Sequence, residues 1–409
     1  MKIWIKYLLG CALGLLMAAF FSFESTLATS LLHFFTEFSI RAGRYMLLPL
    51  LFFSMTVAVC KLYESNQLLK ILLRILVTGF AVSALLVVIG LVSVIFVKLP
   101  RIPISVEKVS QTTSLNLKAA LLSIFPYNGI NGLLDGVFLL PLYVLAGFAG
   151  AGFASDRIRA KAAFTLFDSL SNVCYQILCF FTDIIAVGMI AITCTWTITF
   201  FDVIQSGTYN GLFILLIVDF VLVTAGILPL MLRLICKEPH PYKVLYASIT
   251  SILAAFFSGD ANFVLPLNIR HAHESLGIRR RNGIITLPVF STFVRSGSAM
   301  TIAISFVVVL RSYSSLSISF VDICWIAAVS FFISFCLGGL PVGGCFTALT
   351  ILCHMYGRGF EAGYLLLKPA AGIICAFAAA MDAAVAIFCS YLIAYKQKMI
   401  DHKEIRYYI

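Results

Sequence analysis

The chain has 409 residues, of which 61% are hydrophobic and 11% charged, and its mean hydropathy is +1.03. An average soluble domain is roughly one quarter charged, so too few charges remain here to cover a soluble surface. A transmembrane helix needs about 20 mainly apolar residues, and such runs follow one another from end to end. The composition excludes a soluble globular domain and predicts an all-α polytopic membrane protein.

The net charge of +11 comes from short basic clusters between the apolar runs. Such clusters do not form the single basic face that nucleic-acid binding requires, so no nucleic-acid partner is expected. They lie at Lys2 and Lys6 and within 61–74, 157–161, 233–243, 270–281 and 396–406. Given the predicted spans, all of them fall on one side. The positive-inside rule then predicts a multi-pass protein of the cytoplasmic (inner) cell membrane with both termini in the cytoplasm.

The residues that carry enzyme chemistry do not form any recognisable motif. The 12 cysteines are spread singly, mostly inside apolar runs and without a C-x-x-C pair, which is typical of small buried hydrophobic residues. A glycine-rich phosphate loop and a nucleophile elbow are both missing from the sequence. We therefore expect no enzyme and no cofactor.

Eight hydrophobic segments are predicted to cross the membrane. Pro126 and Pro141 should break the fourth of them. The segments are 4–23, 41–60, 70–98, 119–154, 163–197, 209–236, 283–311 and 362–395.

Two further pairs of hydrophobic segments are too short to cross. Segments 243–257 and 263–275 flank the polar stretch 258–262, and segments 321–336 and 345–356 flank the glycine-rich stretch 337–344. For either pair alone, the alternative is an ordinary membrane span that is kinked by Gly and Pro. Two interrupted pairs around full spans instead predict two re-entrant helical hairpins in an inverted-repeat transporter, whose tips line a cavity at the middle of the membrane.

Several motifs resemble the dicarboxylate/amino acid:cation symporters, the glutamate transporter family. The segment RYMLLPLLFFSMTVAV at 44–59 is similar to the second helix of that family, and GGLPVGG at 338–344 to the tip of its second hairpin. Similar stretches occur at 123–126, 139–142, 167–187, 256–288 and 379–388. The resemblance therefore covers nearly the whole chain.

The resemblance implies a homotrimer that works by an elevator-type alternating-access mechanism. Residues 1–200 would form mainly the trimerisation scaffold from helices 1, 2, 4 and 5, with helix 3 at about 70–98 belonging to the transport domain. Residues 205–409 would form the core of the transport domain, comprising helix 6, the hairpin 243–275, helix 7, the hairpin 321–356 and helix 8. The implied substrate-binding residues are Asp260, Ala261, Asn262, Arg295, Ser296, Gly297, Ser298, Gly338, Gly339, Leu340 and Pro341.

The chain departs from the family at most of its ligand positions. The serine-rich tip of the first hairpin becomes Gly259–Asn262, and the Asn-Met-Asp-Gly-Thr motif of helix 7 becomes Val294–Ser298. The family's helix-8 arginine, aspartate and asparagine ligands correspond to Ile374, Ala371 and Ala378, and its helix-3 cation ligands to Ile75, Thr78 and Gly79. Asp382 alone is kept, as the one expected sodium ligand. Proton coupling or exchange is therefore favoured over sodium coupling.

Charges inside a membrane are costly, so Arg295, Asp382 and Asp260 are expected to face the interior and to be paired. Arg295 has three possible roles: a tethered cation beside Asp382 and Thr78 that replaces sodium, a structural ion pair with Asp382, or a fork that binds a substrate carboxylate. Asp260 would bind a substrate amino group, carry a proton or cap the second half of its hairpin.

These inferences predict a symporter for a small carboxylate or amino acid, such as glutamate, aspartate or a dicarboxylate. Its partners would be that substrate, a proton or sodium ion, membrane lipid and two further copies of the chain. An anion channel or leak pathway on the same fold, or a substrate-binding receptor that no longer transports, are the alternatives.

Overall fold

The computed structural model describes residues 2–20, 26–97, 99–103, 128–129, 139–313, 318–337 and 344–409. Their secondary structure is helical apart from one bridge between Ile278 and Ile400, which confirms the all-α prediction. The helices are α1 Ile3–Phe20, α2 Thr26–Tyr45, α3 Leu47–Glu64, α4 Leu68–Phe96, α5 Leu140–Ser155, α6 Arg157–Gln205, α7 Asn210–Val221, α8 Leu228–Cys236, α9 Tyr242–Ser258, α10 Ala261–Glu274, α11 Arg280–Thr292, α12 Ser296–Tyr313, α13 Phe320–Cys336, α14 Gly344–Tyr356 and α15 Ala371–Lys396.

Within these described ranges, 7 helical segments are long and apolar enough to cross a membrane. They are Ile3–Phe20, Leu27–Glu64, Leu68–Phe96, Arg157–Gln205, Asn210–Cys236, Arg280–Tyr313 and Ala371–Lys396. The predicted fourth span lies partly outside the described residues, and its described part, α5, begins with Pro141 in its first turn. A π-helical turn at Leu222–Ile227 joins α7 to α8.

The structure has more helix than predicted at two places in the chain. The predicted second span begins at residue 41, whereas the structure has a separate helix, α2, from Thr26. That helix carries Thr, Ser, His and Glu between its apolar residues, so the sequence shows no continuous apolar run there. The helix α6 has 49 residues, because Asp202 and its polar neighbours continue the helix and do not end it.

The predicted single span 283–311 is in fact two helices. The helix α11 ends at Thr292 and α12 begins at Ser296, so Phe293–Arg295 form a break inside the protein. In an apolar 18-residue stretch of each of the spans Arg280–Tyr313 and Ala371–Lys396, 94% of the residues are buried, compared with 28% for Ile3–Phe20. The broken helix and α15 therefore form the centre of the molecule, and the break lies within it.

The other helices surround this centre in two groups. The helices α4, α9, α10, α13 and α14 pack against α11, α12 or α15. In the second group, α1 and α2 pack along α6, and α3 packs between α5 and α6. The two groups meet where α3 contacts α11, where α1 contacts α9, and where α10 contacts α2 and α6.

Two glycines allow α1 to approach α6 closely. A Cβ atom on Gly14 would lie 2.5 Å from the carbonyl oxygen of Ile190 and 2.9 Å from Cβ of Thr193. A Cβ atom on Gly10 would lie 2.5 Å from the carbonyl oxygen of Ala186. Small residues that bring backbones together are the usual basis of helix packing in membranes, so this contact depends on both glycines.

We expect Gly14→Ala to lower the thermal unfolding midpoint of the purified protein. The added methyl group forces α1 away from α6, which costs about 1–3 kcal/mol, more than the roughly 1 kcal/mol that alanine gains over glycine in a helix. Gly147→Ala in α5 is the control, because its Cβ would meet no atom of the described residues within 4 Å. Its midpoint should stay the same or rise. Equal midpoints for the two variants would contradict the close contact.

Candidate functional site

The turn between α9 and α10 has the position predicted for the first hairpin tip. The helix α9 ends at Ser258, and Gly259 follows in a left-handed conformation with φ of 64°, which glycine adopts without strain. Asp260 then caps α10, because its carboxylate accepts hydrogen bonds from the backbone N–H groups of Asn262 at 3.0 Å and Phe263 at 3.2 Å. Of the three roles predicted for Asp260, the structure shows the cap.

The Asp260 carboxylate also forms an ion pair with Arg44, near the end of α2. Asp260 is 3% exposed and the Arg44 side chain 24% exposed, so the pair is largely withdrawn from solvent. This pair joins the turn at 259–260 to the helix group around α6. Sequence reasoning missed it, because residues 26–40 were not predicted to be helical and Arg44 was given no role of its own.

Asp382 in the middle of α15 binds the first turn of α12. Its Oδ1 atom accepts from the backbone N–H groups of Gly297 at 2.7 Å and Ser298 at 3.1 Å, and its Oδ2 atom accepts from the Ser298 hydroxyl at 2.6 Å. A Cβ atom on Gly297 would lie 2.4 Å from Cβ of Met381, so only glycine allows α12 and α15 to approach this closely. Asp382 is therefore fully hydrogen-bonded by neutral donors.

Arg295 lies in the break between α11 and α12 and is 6% exposed. Its Nε atom donates to the carbonyl oxygen of Ser291 at 3.3 Å, and its buried Nη2 atom has no hydrogen-bond partner. Among the residues that the structure describes, no carboxylate lies within 4.0 Å of its guanidinium nitrogens. The predicted Arg295–Asp382 ion pair is thus wrong as a direct contact, because the Asp382 oxygens are already bound to α12.

Arg295 and both acids nevertheless line one small cavity. Its lining residues come from the turn at 259–261, the start of α12, the start of α14 and the first half of α15. They include Gly259, Asp260, Ala261, Arg295, Ser298, Gly344, Cys345, Cys375, Ala378 and Asp382. The centre of a water molecule has about 10 Å³ available there, which is room for about one water. Five of the predicted site residues therefore meet: Asp260, Ala261, Arg295, Ser298 and Asp382.

The other predicted residues have different positions. The hydroxyl of Ser296 shares a 2.8 Å hydrogen bond with that of Ser83 in α4. Thr78 donates to the carbonyl oxygen of Arg74 in its own helix and is not among the lining residues of this cavity. Asn262 is buried next to the cap, and its Oδ1 atom has no partner. Gly338, Gly339, Leu340 and Pro341 lie outside the described residues.

Two further acids in the predicted spans have partners elsewhere. Asp219 in α7 is 1% exposed and accepts a hydrogen bond from the Ser93 hydroxyl of α4 at 2.7 Å. Asp183 in α6 forms ion pairs with Lys6 at 3.0 Å and Arg270 at 3.3 Å. The part of the chain that the structure describes contains no group of three or more His, Cys, Asp or Glu side chains that could hold a metal ion.

Comparison with known proteins identifies the family. The chain matches the Sodium:dicarboxylate symporter family over residues 1–395. It belongs to this family. The symporter family consists of transporters and not of enzymes. The chain is a multi-pass membrane protein.

Individual relatives of this symporter-family protein are more distant. Neutral amino acid transporter B(0) of Homo sapiens is 28% identical over 126 residues, which cover 31% of this chain and 23% of that protein. Excitatory amino acid transporter 4 of Mus musculus is 22% identical over 224 residues, which cover 54% of this chain and 40% of that protein. The chain thus spans less than half the length of these curated relatives.

Substitutions at Asp260 separate its two roles. Asp260→Asn keeps the cap, since Asn caps helices as well as Asp, but leaves Arg44 without its counter-charge, so we expect a lower thermal unfolding midpoint. Asp260→Ala should lower the midpoint further, because the lost cap costs about 1 kcal/mol of stability. The double variant Arg44→Met with Asp260→Asn removes both charges and should be more stable than Asp260→Asn alone. A midpoint of Asp260→Asn equal to that of the unchanged protein would show that the ion pair contributes nothing.

Proposed function

We propose that this protein is a secondary active transporter that binds the carboxylate of a small amino acid or dicarboxylate at Arg295. The observation that carries this proposal is the free Nη2 atom of a guanidinium that is 6% exposed and lines a cavity. A buried donor without a partner is costly, and more so when the group is charged. A carboxylate ligand would supply two acceptors in the geometry that a guanidinium fork matches.

The charges around the cavity support an amino acid as well as a plain carboxylate. Arg44 and Arg295 contribute two positive charges, and Asp260 and Asp382 two negative charges. A zwitterion keeps this balance, with its carboxylate at Arg295 and its amino group on the acidic side. The names of the distant relatives, neutral and excitatory amino acid transporters, agree with this substrate class.

In this proposal the transport domain moves like an elevator against a trimeric scaffold. Residues 205–409 with α4 form the moving part, and α1, α2, α3, α5 and α6 form the scaffold. The packing of α4 on α12 and of α1 and α2 on α6 supports this division. The turn at 259–260 is the tip of the first re-entrant hairpin and α13 and α14 are the two arms of the second, which gives eight spans around an inverted repeat.

The mechanism requires movement, because the cavity now has room for about one water. The ion pair between Arg44 and Asp260 connects the scaffold to the first hairpin tip. Its separation would free Asp260 to face the substrate when the transport domain moves. The basic clusters place both termini in the cytoplasm, with the protein in the inner cell membrane.

Proton coupling or exchange fits this site better than sodium coupling. Both oxygens of Asp382 accept hydrogen bonds from Gly297 or Ser298, and the Thr78 hydroxyl is bound within its own helix. Arg295 is a fixed cation in the same cavity as Asp382. A positive charge that is part of the chain reduces the attraction of the cavity for a sodium ion, since like charges repel.

Arg295→Gln should raise the KM for aspartate uptake into liposomes by about 10- to 100-fold, because hydrogen bonds to charged groups contribute about 1.5–3 kcal/mol. The matched control is Arg279→Gln, which removes an exposed arginine that pairs with Asp401. Its KM should stay unchanged. If Arg295→Gln folds and transports aspartate with an unchanged KM, Arg295 does not bind the substrate.

Uptake driven separately by sodium and by proton gradients tests the coupling. We expect purified protein in liposomes to accumulate aspartate under an inward proton gradient, or to exchange it across the membrane, with no sodium present. Uptake that requires sodium would contradict the tethered-cation role of Arg295. Conductance without saturable uptake would indicate a channel, and saturable binding without flux would indicate a receptor.

A further inference from the structure

A second polar cavity lies between α3, α6 and α11, and it shares no lining residue with the cavity at Arg295. Its volume is about 210 Å³, large enough for a tetrahedral oxyanion with some water. The charged residues that line it are Lys61, Asp168, Arg280 and Arg281. Lys61 is in the last turn of α3, and Arg280 begins α11. The cavity therefore reaches the ends of two candidate membrane spans, Leu27–Glu64 and Arg280–Tyr313.

The positive charge of this cavity exceeds its negative charge. Asp168 is the one acid among its lining residues, and it pairs with Lys61 at 3.0 Å. The nearby Glu64 is already paired with Arg157. In the part of the chain that the structure describes, no carboxylate lies within 4.0 Å of the guanidinium nitrogens of Arg280 or Arg281. Among the described residues, neither arginine thus has a direct ion-pair partner, and Asp168, which faces the same cavity, is one negative charge against Lys61, Arg280 and Arg281.

Arg280 is held in place by neutral groups. Its Nη2 atom donates to the carbonyl oxygen of Ser171 at 3.2 Å and to the Ser171 hydroxyl at 3.3 Å, and its Nη1 atom donates to Oδ1 of Asn172. Its guanidinium also lies 4.5 Å from the centre of the Tyr175 ring. These contacts fix the guanidinium at the cavity through neutral acceptors and an aromatic ring, none of which forms an ion pair with it.

Arg281 adds an unused donor at the same place. Its Nε atom is shielded from solvent and has no hydrogen-bond partner. The first turn of α11 contains no acidic residue, and the residue before it, Arg279, makes no side-chain cap. The partial positive charge of a helix N-terminus is normally balanced by an acid or an anion, but here it coincides with arginines.

We propose that this cavity binds a phosphate-type oxyanion, supplied by an anionic lipid headgroup or by free phosphate. The anion accepts hydrogen bonds from Arg281 and from the free N–H groups at the start of α11, and it neutralises Arg280. Because Arg280 is itself bound to α6, the anion lies where α11 meets that helix. This site is independent of transport and of the role of Arg295.

The test is binding to the full-length purified protein, measured with two probes. The first is inorganic phosphate, titrated while the thermal unfolding midpoint is recorded at constant ionic strength. The second is dioleoylphosphatidylglycerol, compared with dioleoylphosphatidylcholine by native mass spectrometry. A saturable midpoint shift with phosphate identifies free phosphate as a ligand, and selective retention of phosphatidylglycerol identifies the headgroup; either supports the site.

Arg281→Gln should weaken the binding of the effective probe by at least about tenfold, the loss of one charge-assisted hydrogen bond. Arg279→Gln is the matched control, since it removes the same charge two positions away from a side chain that pairs with Asp401 outside the cavity. It should bind like the unchanged protein. Equal weakening in both variants would indicate general charge attraction, and no binding of either probe would also overturn the proposal. Lys61→Gln provides a second cavity variant if Arg281→Gln fails to fold.

Discussion

The Asp382 carboxylate holds the start of α12 inside the protein, and the position of Arg295 follows from this bond. The first N–H groups of any helix lack partners within that helix, and the carboxylate supplies an acceptor for those of Gly297 and Ser298. Its negative charge also lies at the positive end of the helix dipole. Because α12 can begin at Ser296 without exposing unpaired backbone, the preceding helix can end, and Arg295 occupies the break between them.

The remaining buried charges show how this fold tolerates ionised groups in a membrane. A charged side chain at the middle of a bilayer costs about 2.5–3.5 kcal/mol even on insertion scales. Asp260 is bonded to its own helix and to Arg44, and Asp219 is bonded to Ser93. Among the described residues, Arg295 is bonded through Nε to a carbonyl oxygen of its own chain, and its buried Nη2 atom has no partner. A ligand in the adjoining cavity would complete the hydrogen bonds of this nitrogen.

Local patterns in the sequence predicted the turn between α9 and α10 and five of the residues that line the cavity at Arg295. Two short apolar runs on either side of Gly259 and Asp260 were sufficient to place the turn, because the length of a run and a glycine are local signals. Long-range partners were not predictable in this way. The pairing of Asp260 with Arg44 depends on α2. The hydropathy of the sequence did not predict this helix, because polar residues interrupt its apolar ones. The break before Ser296 was missed as well, because its cause is a carboxylate 84 residues away.

The length of α6 has a practical consequence. Its 49 residues correspond to roughly 70 Å of helix, while a bilayer with its headgroups is about 40–45 Å thick. Even at a tilt of about 40°, the upper end of the usual range, the helix would extend beyond the membrane. Its first turn, where the Arg159 side chain is 91% accessible, is the charged end of this helix. A small folded domain fused there would give this membrane protein a visible marker for particle alignment in electron microscopy.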